Sequence, residues 1–123
     1  MELYTCSTKG MLQEMQDVLE PDPALGDKKI YSITEEVSKS GYFWTVLHYS
    51  SHYGKFQVLE YLIELMSMNP NKFDIFNMQT VEGKTPLMCA ISSKEIDKNQ
   101  KQRIVKLWFD TNCIDFKLRK KTG

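Results

Sequence analysis

The stretch "TVLHYSSHYGKFQVLEYLIE", Thr45 to Glu64, decides the reading of this chain. An apolar pair is followed by a histidine, two serines and a second histidine, and then by one glycine, Gly54. Leu47 before it and Val58, Leu59, Leu62 and Ile63 after it recur at helical spacing. A glycine at that point ends a helix, because it adopts the left-handed backbone that other residues resist. The spacing therefore predicts two short helices joined by a tight turn.

Self-similarity extends the reading outward. "TPLMCAISSKE" from Thr85 repeats "TVLHYSSHYGK" from Thr45, and "IVKLWFD" (Ile104 to Asp110) stands where "VLEYLIE" (Val58 to Glu64) stood. A weaker copy, "LYTCSTKGMLQEMQDVLE", opens the chain with Cys6, Gly10 and then Met15, Val18 and Leu19 at helical spacing. Each copy is followed by turn-formers and extended residues: "EPDPALGDKKIYSI", "MNPNKFDIFNMQTVEG" and "TNCIDFKLRKKTG". The unit is helix, turn, helix and an extended excursion. Such a unit cannot bury its apolar stripe alone, and stacking neighbours buries it.

Local chemistry agrees. Thr85 before Pro86 suits a helix start, with a hydroxyl cap and a proline whose missing N–H is spare at the first position. Ser50, Ser51, Cys89 and Ala90 are small where stacked pairs must approach closely. Trp108 and Phe109 fall on the stripe of a second helix and read as core. The polar run from Lys94 to Arg103 reads as a solvent-exposed turn or helix extension inside the third unit.

In "GKTPLMCA" (Gly83 to Ala90) and "TVLHYSSHYGKFQVLEYL" (Thr45 to Leu62) the chain resembles the ankyrin-repeat family. The carrying positions are Thr45, Leu47, His48, Gly54, Gly83, Thr85, Pro86, Leu87 and Ala90. The resemblance implies an all-α solenoid of stacked helix-turn-helix units with β-hairpin or extended loops between them. One domain, 1–123, divides into an atypical first repeat (1–39), a second (40–79) and a third (80–123), with the hairpin of a following repeat cut off. The units run to about forty residues against the usual 33. Val46 replaces the proline in the second unit, and Met88 the histidine in the third. By the same resemblance His48 is structural, tying neighbouring repeats through its side chain.

Sixteen basic and sixteen acidic side chains cancel, which argues against a partner recruited by bulk charge such as nucleic acid. The run "VLEYLIELMSM" is cut by Glu60 and Glu64 and is too short to cross a bilayer. No secretory leader pattern opens the sequence, there is no Asn-x-Ser/Thr site, and three scattered cysteines (Cys6, Cys89, Cys113) form no pair. The expected setting is intracellular, cytoplasmic or nuclear.

Catalytic and metal readings find little support. His48 and His52 have the spacing of a zinc pair but lack a third ligand, and Cys89 with His48 has no substrate cleft. "GKT" at Gly83 would need a glycine at Met78 to end a phosphate loop. No cofactor, metal or small-molecule substrate is expected, and the chain is not read as an enzyme. "RKK" (Arg119 to Lys121) reads as a solvated tail. The resemblance implies a protein partner held on the concave hairpin and first-helix surface. Candidate contacts are Tyr42, Trp44, His52, Tyr53, Glu82 and Lys84, centred on the aromatic run "SGYFWT". The alternative is a regulatory or structural fragment of a larger multidomain enzyme or channel without its own partner.

Overall fold

A computed structural model describes residues 9–14 and 43–115. Five helices follow one another there: α1 (Val46–His52), α2 (Phe56–Met66), α3 (Lys72–Phe76), α4 (Pro86–Ser92) and α5 (Lys98–Asp110). No strand occurs among the described residues. The first helix of one pair packs on the first helix of the next, α1 on α4, and α2 meets α5 behind them. This is the all-α stacking that the repeated pattern predicts.

The capping chemistry shows why the boundaries fall where they do. Thr45 is extended (φ −91°, ψ 175°) and its N–H donates to His48 Nδ1 at 3.1 Å, so the third helical residue caps the helix start. At the other end Gly54 takes φ +66°. The Lys55 N–H reaches Ser50 O at 2.9 Å and the Gly54 N–H reaches Ser51 O at 3.3 Å, the two bonds of a Schellman stop. In α4 the Thr85 hydroxyl accepts from the Met88 N–H at 3.3 Å and Pro86 fills the first position. Before these residues, Gly10 (φ +71°) separates helical residue 9 from helical residues 12–14, and Met11 and Leu12 pack on the core. The rest of the 1–39 unit lies outside the described residues.

Val46, Leu47, Val58, Leu59, Leu62, Met66, Ile104 and Trp108 are all buried and form the core between the pairs. Each large apolar side chain contributes about 1.5–3 kcal/mol by leaving water. Ser50, Ser51, Cys89 and Ala90 are fully buried where α1 meets α4. The Trp108 ring meets Phe76 edge-on at 5.5 Å, and its indole N–H donates to Ser51 Oγ at 2.9 Å.

Two expectations need correction. Phe109 is not core: it is 44% exposed, because one residue past Trp108 rotates the side chain about 100° around the helix. The excursion after α2 is not wholly extended, since Lys72–Phe76 turns into α3. The Asn69 side chain accepts from the Asn71 N–H at 2.8 Å to start it, and burial of Ile75 and Phe76 holds it. The run from Lys94 to Arg103 is, as expected, a largely exposed turn leading into the first turns of α5, and it is anchored at two points. Asp97 caps α5 with a reciprocal Asp97–Gln100 box, and Ile96 packs over Gly54, where an added Cβ would come within 2.6 Å of Ile96 Cγ2.

Candidate partner-binding surface

His48 organises this side of the molecule. Its Nδ1 accepts from the Thr45 N–H and from the Thr45 hydroxyl at 2.8 Å. Its Nε2–H therefore points the other way, donating to Met78 O at 2.9 Å and Lys84 O at 3.1 Å. Those two carbonyls flank a projecting turn from Thr80 to Lys84. The turn is closed by Thr80 N–H to Lys84 O and Gly83 N–H to Thr80 O, both at 2.9 Å, with Gly83 at φ +84°. One buried ring thus joins α1 to the turn that precedes α4. Burial pushes its pKa down to about 4, against a partial upward pull from the two carbonyls, so the ring stays neutral at physiological pH.

Beside the turn lies an aromatic cluster. The half-buried Trp44 ring is 5.1 Å from Tyr49, 5.3 Å edge-on from His52 and 6.1 Å from His48. His52 meets Tyr53 edge-on at 4.8 Å. Desolvation holds the His52 pKa below its usual value; the Glu95 charge and a hydrogen bond with the Cys89 backbone oppose this, while the Lys84 charge adds to it. Phe43 precedes the cluster with φ +60° and 39% exposure. A bulky side chain in the left-handed region costs of order 1–3 kcal/mol, and such residues concentrate at functional sites.

The sequence-derived candidates divide accordingly. Trp44, just before α1, sets its ring against His52 at the helix's C-terminal end, and His52 in turn meets Tyr53. Lys84 gives its carbonyl to His48 and its charge to the neighbourhood of His52. Glu82 stands exposed at the tip of the turn next to Val81, itself 55% exposed. Tyr42 lies outside the described residues. The candidate list omitted Phe43 and Val81; the aromatic run signalled the first, but its backbone conformation leaves no mark in sequence. Among the described residues no three His, Cys, Asp or Glu side chains gather closely enough to hold a metal ion. His48 Nε2, committed to two carbonyls, has no lone pair to offer one.

Paired helices stacked first on first, with the Thr80–Lys84 turn at the junction between them, define a helical-repeat protein. The family profile described as "Ankyrin repeats (3 copies)" matches residues 6–115, and the chain belongs to the ankyrin-repeat family. Members of that family generally serve as protein–protein interaction modules, and the repeats are typically non-catalytic. No curated protein matches the chain. No helix among the described residues is long and apolar enough to cross a membrane.

Proposed function

We propose that this chain is a non-catalytic adaptor that binds a partner protein on the side formed by the Thr80–Lys84 turn and the first helices α1 and α4. The observation that carries the reading is the aromatic cluster: Trp44 meets Tyr49 and His52 at an angle and is only partly buried, beside Phe43, which is 39% exposed. Large rings held in place lose little entropy on binding and bury much area, so they dominate interface energies. Trp44 and Tyr53 are the anchors in this reading, with Tyr42 beside them by sequence. His52, Lys84 and Glu82 tune register and association rate at the rim. The buried thiols of Cys89 and Cys113 suit a reducing, intracellular setting.

The test begins with a partner recovered from the source cell and titrated by calorimetry against wild type and Trp44→Ala. The variant should bind about thirtyfold more weakly, on the order of 2 kcal/mol, with its melting temperature nearly unchanged. Unchanged affinity with a large fall in melting temperature would make Trp44 a packing residue and overturn the assignment.

A further inference from the structure

Helix α5 has a second surface, lined by none of the aromatic-cluster residues. Ile104 and Trp108 face inward toward α2 and α4, and around the helix from them Lys98, Lys101, Gln102, Val105, Lys106 and Phe109 line an open hollow of about 560 Å³. Phe109 is 44% exposed, and Val105 stands one helical turn before it. Lys101, on the hollow's rim, donates from Nζ to the carbonyl of Ile91 on α4 at 2.9 Å, and the Ile91 side chain is 53% exposed.

Among the described residues, three ammonium groups and no carboxylate line the hollow. Lys106 is partly offset by Asp110 at 3.9 Å. Lys98 and Lys101 stand in the first turns of α5, where the helix dipole is already positive and favours anions over cations. An acidic group arriving there relieves a repulsion built into the helix.

We propose that this face docks an acidic amphipathic helix from a partner protein. Its apolar stripe would lie on Val105 and Phe109, which are spaced i, i+4 on one face of α5, and its carboxylates would meet Lys98 and Lys101. Charge disfavours the chain's own "FKLRKKTG" (116–123) as occupant, since Lys117, Arg119, Lys120 and Lys121 come with no acidic residue. This surface is independent of the aromatic one, and either can fail without the other.

The probe is a fluorescein-labelled helical peptide with leucines along one face and glutamates flanking them, titrated into the full chain by anisotropy. A matched peptide carries lysine at every glutamate position. The glutamate peptide should bind, weaken as salt rises, and shift amide resonances between Lys98 and Phe109; the lysine peptide should not bind. Lys98→Glu, an exposed change that leaves the core untouched, and Phe109→Ser should each weaken the complex about tenfold. Equal binding of both peptides, shifts confined to α1 and the Thr80–Lys84 turn, or indifference to both substitutions would overturn the proposal. So would a self-association seen in sedimentation that Phe109→Ser abolishes and the glutamate peptide fails to compete, which would make a second copy the occupant.

Discussion

The Trp108 indole N–H and the Ser51 hydroxyl meet at 2.9 Å inside the core, joining the outer helix α5 to the inner helix α1 of the preceding pair. The bond lies where no water reaches, so removing its acceptor leaves a buried donor without a partner. Ser51→Ala should cost about 1–3 kcal/mol in urea denaturation. Combined with Trp108→Phe, the loss should be smaller than the sum of the two single losses. Strict additivity in that cycle would show that the bond contributes nothing beyond packing.

Gly54 is under two separate constraints. Its φ of +66° disfavours any side chain by about 1 kcal/mol. The Ile96 methyl 2.6 Å from an added Cβ imposes a further cost, because a β-branched side chain has little freedom to swing away. Gly54→Ala should therefore destabilise by about 2–3 kcal/mol in total. Adding Ile96→Ala should make the glycine substitution itself cheaper, leaving only the backbone cost; an unchanged penalty would remove Ile96 from the account.

Protonation of His48 should destabilise the protein gradually in mild acid. A folded-state pKa of about 4, below the unfolded value of 6.5, means that the unfolded chain takes up the proton first. The stability is fully present above pH 6.5 and is lost as pH falls through 6.5 toward 4, by about 3 kcal/mol in all. A proton on Nδ1 would face the Thr45 N–H, which cannot reverse its polarity. Urea midpoints between pH 7 and pH 5 should fall steeply for wild type. A His48→Gln chain, less stable throughout, should show a flatter profile; parallel slopes would assign the acid sensitivity to other groups.

Asp97 starts α5 through the 2.8 Å bond from the Gln100 N–H. Asp97→Ala should cost about 1 kcal/mol, the ordinary value for a lost helix cap. Asp97→Ser should recover most of it in the same denaturation assay. Deleting residues between Lys94 and Asp97 should be far more damaging than a solvated insertion would suggest, since Ile96 and the cap would both be displaced.

What could be read from sequence was what local backbone chemistry dictates. Thr85–Pro86 and Gly54 each impose one geometry on their own neighbourhood, and the matched stretches around them reveal the stack. Trp108 was legible as core, but its hydrogen bond to Ser51 spans 57 positions and depends on how two pairs sit together. Phe109 misled because a three-to-four-residue stripe does not say how wide the covered face is. The α3 helix was hidden behind Asn and Pro, residues that favour turns, while the deciding contribution came from burial of Ile75 and Phe76. For the candidate surface, the aromatic run marked the place, but the positive φ of Phe43 and the exposure of Val81 are properties of the folded chain.

The carbonyl pair on His48 also has a use for engineering. Met78 O and Lys84 O are gripped from below, so the backbone at both feet of the Thr80–Lys84 turn is fixed without any help from the side chains of Val81 and Glu82. Those two side chains are exposed and sit on a mount whose shape they do not determine. The turn is thereby a graft site: Val81 and Glu82 can be randomised in a library, with Thr80, Gly83 and His48 kept, to select new binding specificities on an unchanged frame.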